Sequence, residues 1–338
     1  MKMLANLSLR LSSSSSLVLP FPIQTLFNQQ LTSNLKTLLL SSSSPNDCVM
    51  TVSFLAHALD ALVATQKLAH QSLPTSSTLA QPSDREAIER YLEENSIDLL
   101  DACNGLGDKL DNVSEFVKSL RLALHCLEAP TSIAVARANK LLQSCQAMGR
   151  ESSCKMMTNS TISSLIPSFK RIVQHQRMNS RATKNRYDVR SELEEILDGS
   201  SVVTSTIFEI LDSALSFKLK HRNGHNTTVR ISRAATSYSS YHSWLSLLQE
   251  LRNNLKKETK KSLQVRELQN TVWLAQELRQ ELMGSQDCSK LRVRVEELKR
   301  SCDELENGLK PLQGKVKEVY RYLICVRMGL LEKLSSMA

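Results

Sequence analysis

SDREAIERYLEENSIDLLDACNGLGDKLDNVSEFVKSLRLALHCLE, residues Ser83 to Glu128, decides the fold. Its apolar residues fall at Leu99, Cys103, Leu106, Leu110, Val113, Val117, Leu120, Leu124 and Leu127, with gaps that alternate four and three. That spacing keeps one stripe on one face of a helix. Asp98, Asp101, Asp108, Lys109, Asp111, Glu115, Lys118 and Arg121 occupy the other face. Pro82 marks the start, followed by Ser83 and Glu86 at the spacing of a reciprocal capping pair. Gly105 and Gly107 each cost up to about 1 kcal/mol relative to Ala and allow a bend. A long helix with one apolar face needs cover from the rest of the chain.

The closing segment offers that cover. Leu291, Val295, Leu298, Cys302, Leu305, Leu309, Leu312, Val316, Val319, Leu323, Val326 and Leu330 keep the same alternation. Pro311 stands among them, flanked by Gly308 and Gly314, and predicts a kink. Shorter helices are expected from Ile23 to Leu40, with Leu26, Phe27, Leu31, Leu35, Leu38 and Leu39 on one side, and from Thr51 to Leu73. Further helices are expected from Ser132 to Met148, then a loop, and from Trp244 through the basic run Lys256–Lys261 to Leu282. The fold class is all-α: an elongated antiparallel bundle of long helices with coiled-coil-like heptad stripes. An intermolecular coiled coil is the competing arrangement. The intramolecular bundle is preferred because one chain supplies several such faces.

Composition agrees. Aromatics make up 4% of the 338 residues, and Gly and Pro number only 9 and 8, which disfavours a sheet. Residues 1–22 hold Lys2, Arg10, many serines and no acid, and read as a disordered tail or a transit peptide. Residues 23–336 read as a single helical domain. The stretch Ser201–Phe217 is apolar, but it carries Glu209 and Asp212. Each would cost about 2.5–3.5 kcal/mol at a bilayer centre, so a buried core helix is expected.

No catalytic constellation is visible, and an enzyme is not expected. Phosphate loops, nucleophile elbows and HExxH pairs are all missing. The eight cysteines form no CxxC pair and read as small buried hydrophobes in a reducing compartment. His221 and His225 have no ligating companion, so neither a metal nor a cofactor is expected.

The net charge of +9 is concentrated in two basic segments. One, near residues 169–190, holds Lys170, Arg171, Arg177, Arg181, Lys184 and Arg186. The other, near 218–233, holds Lys218, Lys220, Arg222, Arg230 and Arg233. Aromatics for base stacking are nearly absent there, so nucleic acid is not the expected partner. A peripheral contact with anionic membrane fits the lysines and arginines better than nucleic acid does, and a solvated loop is the first reading of either segment. The Gly199-Ser200-Ser201 run reads as a turn that brings the two segments together, whereas an unbroken helix there would set them at opposite ends.

YLEENSIDLLDACNGLGDKL (Tyr91–Leu110) resembles the leucine-rich helix of the plant BYPASS family, with its LLDxCN core. The resemblance continues through LRLALHCLE, SVVTSTIFEILDSALSF, YHSWLSLLQELRNNLKKE and YRYLICVRMGLLEKL, and a related plant family defined only as a domain of unknown function is similar too. It implies a non-enzymatic regulator or adaptor in root and shoot development, like proteins that restrain a root-derived mobile signal. A trafficking-associated membrane adaptor and a protein acting on a small signalling metabolite remain as alternatives. Protein partners are expected without being identified, self-association is compatible, and the location is cytoplasmic, membrane-peripheral or plastid.

Overall fold

Short hydroxylated side chains start the helices. Thr25, Thr51, Thr131 and Ser191 each accept a hydrogen bond from the backbone N–H three residues on, at 3.1–3.3 Å. That is the N-cap geometry that satisfies an otherwise orphaned amide. A computed structural model of the chain describes residues 25–42, 50–73, 82–128, 131–159, 191–217, 243–258, 264–284 and 288–337.

The described elements are α1 (Leu26–Ser42), α2 (Val52–Gln71), α3 (Pro82–Arg90), a π turn (Tyr91–Asn95), α4 (Ser96–Glu128) and α5 (Ser132–Asn159). They continue with α6 (Glu192–Ala214), α7 (Ser243–Glu258), α8 (Arg266–Gly284) and α9 (Cys288–Ser336). No strand occurs among the described residues. One apolar cluster takes residues from all nine of these α-helices.

The two long stripes meet as expected. All nine stripe residues of α4 are buried, and so is the α9 stripe from Leu298 to Leu330. Leu291 and Val295 are half-buried. The Cys103 thiol reaches the Val316 carbonyl at 3.5 Å, Gln313 Nε2 donates to Asp111 at 3.0 Å, and Arg327 bonds Ser96. One residue number climbs as the other falls, so α4 and α9 are antiparallel. Val52 lies against Gly308, Asp60 pairs with Lys315, and Leu73 lies against Gly329. Both numbers climb together there, so α2 runs parallel to α9 on its other flank. α5 covers α4 and also touches α8, while α8 folds back along the first half of α9.

α6 is the centre. Every residue from Gly199 to Phe208 is buried, between α2 and α4, with α1 and α7 beyond. A helix apolar or small on every side belongs in a core, as expected for this stretch. The turn predicted at Gly199-Ser200-Ser201 does not exist, because α6 passes through it unbroken. Small residues serve close packing here. A Cβ on Gly199 would meet the Phe27 ring at 3.0 Å, and the Ser200 hydroxyl donates to the Leu197 carbonyl at 3.1 Å within the helix.

Other boundaries also moved. α4 is helical through Gly105 and Gly107, and α9 is helical through Pro311. α5 extends to Asn159, past the loop expected after Met148, because one glycine among good helix formers does not end a helix. The helix begun by Trp244 is two, α7 and α8. Leu26, placed on the α1 stripe by its spacing, is 66% exposed.

Candidate functional site

Lys170, Arg171, Arg177, Arg181, Lys184, Arg186, Lys218, Lys220, Arg222, Arg230 and Arg233 all lie outside the described residues. His221 and His225 do as well. What the structure does give is where the two basic segments join the bundle. One precedes Ser191 and the other follows Phe217, at opposite ends of a helix about 34 Å long. The turn that was to unite them is absent.

The acids of α6 are tied to neighbouring helices. Arg252 of α7 pairs with Glu209 at 3.1 Å, its side chain 8% exposed. Lys109 of α4 pairs with Asp212 and also reaches the Asp212 carbonyl at 3.1 Å and the Ser216 hydroxyl at 3.3 Å. Gln66 of α2 donates to Thr204 at 2.6 Å, and Thr204 donates to the Ser200 carbonyl. These contacts fix the rotation of α6 among its neighbours. Among the described residues no helix is long and apolar enough to cross a membrane.

The π turn is the one irregularity in the leading helix. The Ser96 N–H bonds the Tyr91 carbonyl, five residues back instead of four. The Leu92 carbonyl then accepts from the Ser96 hydroxyl and from Arg327 Nη1, each at 3.0 Å. Tyr91 is 2% exposed, its hydroxyl has no hydrogen-bond partner among the described residues, and burial pushes its pKa up. Such turns recur at functional sites.

A cleft of about 700 Å³ opens where α8 and α9 meet the head of α2. Arg266, Gln269, Asn270, Trp273, Gln276 and Glu304 give it its character. Glu267 lines it too, but its carboxylate accepts the Val52 N–H at 3.2 Å and so caps α2. Trp273 is 48% exposed, with the Arg294 guanidinium 5.8 Å from its ring centroid. Arg294 is held in turn by Glu277, Glu281 and Glu297 at 2.9–3.4 Å. The cleft offers amides for hydrogen bonding and an aromatic face for stacking. Sequence reading missed it. The available signal was a tryptophan one residue off the Val265, Leu268, Val272 stripe.

The three buried thiols Cys103, Cys145 and Cys302 are poor nucleophiles. Burial pushes Cys103 and Cys302 up to about 12 and Cys145 up to about 11, whereas a reactive cysteine needs its thiolate near neutrality. Among the described residues no group of three or more His, Cys, Asp or Glu is placed to hold a metal ion.

A family model described as Protein BPS1 matches residues 58–332, from within α2 to near the end of α9. No curated protein and no solved structure matches the chain.

Proposed function

The chain belongs to the BPS1 family, and from that premise we propose that it is a non-enzymatic regulator or adaptor in plant root and shoot development, acting through protein contacts. One observation carries this reading. Three pairs of partly buried charges join helices: Lys109 to Asp212, Arg252 to Glu209, Arg90 to Glu194. A catalyst keeps such groups facing a substrate, with their pKa values tuned to proton transfer. Here they hold an interior of leucine and valine together. The test is to incubate the purified full chain with root extract and follow small molecules by mass spectrometry. No metabolite should change catalytically. Loss of any metabolite in excess of the protein present would overturn the reading.

A second reading, a binder of a small signalling metabolite, is favoured by the Trp273 cleft alone. Titrating root extract fractions against tryptophan fluorescence separates the two. A change seen in the parent and lost in Trp273→Phe, with Trp244 retained, supports the binder.

A further inference from the structure

The outer face of the α4–α9 pair changes character along its length. Towards the C-terminal end of α4 it is closed by polar pairs. Arg121 bonds Asp303 and Glu306 at 2.6 Å, and Gln313 bonds Asp111 and Ser114. Towards the other end it becomes apolar. On α4, Ile97 is 48% exposed and Leu100 is half-buried beside it. On α9, Tyr320, Met328 and Leu331 are 37%, 51% and 37% exposed, with Ile324 half-buried among them.

These six side chains share one face. Residues 320, 324, 328 and 331 follow one another at helical spacing, on the flank that carries Gln313 and Arg327 to α4. Ile97 and Leu100 continue the flank of Asp111 and Ser114. A contiguous apolar patch of this kind, rimmed by charge, marks an interaction surface.

The rim says what it accepts. On the α4 edge stand the exposed acids Asp101 and Asp108; on the α9 edge stand the exposed bases Lys317 and Arg321. The antiparallel register set by the Cys103–Val316 and Gln313–Asp111 contacts puts Asp101 level with Arg321 and Asp108 within about one turn of Lys317. A face with an acidic edge beside a basic edge, matched in height, is complementary to itself.

We propose that this face joins two copies of the chain about a twofold axis parallel to α4 and α9. That axis lays each α4 over the second copy's α9. The acidic edge then meets the basic edge at both sides of a shared apolar strip. A crosswise axis would lay α4 over α4, with acid on acid. The charges select the first arrangement, and the product is an intermolecular four-helix layer added to the outside of each bundle.

Sedimentation equilibrium of the full chain from about 1 to about 100 μM tests it. The parent should show a reversible monomer–dimer equilibrium. Met328→Glu should leave it monomeric. Arg321→Glu should weaken dimerisation about tenfold, because the change is made twice across the axis and turns attraction into repulsion. Adding Asp101→Lys to Arg321→Glu should restore most of the loss, since the exchanged charges meet again. All three positions are exposed, and thermal unfolding at the dilute end of that range, where the parent is monomeric, should be unchanged in each variant. A parent that stays monomeric over that range overturns the proposal, even if it binds a different protein through Met328. So does a dimer indifferent to Met328→Glu, or one that the double exchange fails to restore.

Discussion

Gly308 of α9 lies directly against Val52 at the head of α2. A Cβ on Gly308 would come within 2.5 Å of Val52 Cγ1 and 3.1 Å of its Cβ. Both contact atoms belong to a stiff branched side chain whose residue is 6% exposed, so the helices themselves would have to part. Gly314, two turns on, has nothing within 4 Å of such a Cβ. The two glycines therefore answer differently to alanine. Gly314→Ala should stabilise by up to about 1 kcal/mol through helix propensity. Gly308→Ala should lose about 1–3 kcal/mol to overpacking, more than the same propensity returns. Thermal unfolding followed by circular dichroism decides it, and equal stabilisation by both would show that α2 yields freely.

That contrast shows what the sequence could and could not disclose. The stripes of α4 and α9 were legible because a buried face on a long helix imposes its period on every turn, from Leu99 to Leu127 and from Leu298 to Leu330. Gly308 was read as part of a kink and Gly199 as part of a turn. Each lies against a neighbour, Val52 or Phe27, more than a hundred residues away in the chain. Glycine looks the same in sequence whether it frees the backbone or admits another helix. Glu209 and Asp212 argue against a membrane span from the sequence alone, yet their partners Arg252 and Lys109 emerge only from the packing. The Trp273 cleft was hidden for the same reason, since it forms only where three elements converge.

The Glu209–Arg252 pair gives a second expectation. Burial pulls the Arg252 guanidinium below its ordinary pKa while Glu209 pushes it back up. Removing only the acid takes from a cation that is 8% exposed the carboxylate that offsets its burial. Glu209→Leu should therefore cost about 3 kcal/mol in urea unfolding, and combining it with Arg252→Met should recover most of that loss. If the double variant is as unstable as the single, the pair is not an independent unit.

On the leading helix, Val117 is 2% exposed in the middle of the stripe. Val117→Asp buries a charge with no partner and should cost about 3–5 kcal/mol, seen as a lower urea midpoint. A variant as stable as the parent would mean that α4 can rotate to show this position to water.

The buried thiols predict a pH dependence. An ordinary thiol here ionises at 9.0, whereas burial raises Cys103 and Cys302 to about 12 and Cys145 to about 11. Below pH 9 both the folded and unfolded chains hold these protons, and the contribution to stability is fully present. Above it the unfolded chain releases protons that the folded chain keeps. Stability then falls as pH rises from about 9 towards 11–12, by about 1 kcal/mol per thiol per pH unit. Urea midpoints at pH 8 and pH 10 should separate in the parent and converge when the three cysteines are replaced by alanine. Thiol labelling at pH 8 should reach the half-buried Cys126 and Cys325 before these three. Rapid labelling of Cys103 in the native chain would contradict the assignment.

The π turn supports the last expectation. The Tyr91 hydroxyl is buried without a hydrogen-bond partner among the described residues, and such a group costs about 1–3 kcal/mol when taken out of water. Arg327, close by, is used differently. It donates to the Leu92 carbonyl at 3.0 Å and bonds Ser96, holding the widened turn in place. Tyr91→Phe removes the unsatisfied atom and keeps the ring that fills the core. It should stabilise the chain by about 1 kcal/mol. Arg327→Met keeps the aliphatic stem and removes the donors, and should destabilise by about 1–3 kcal/mol. The two changes act on one turn with opposite signs, which differential scanning calorimetry can resolve. If Tyr91→Phe instead lowers stability, the hydroxyl has a bonding partner in solution. The turn would then be held by Tyr91 as well as by Arg327.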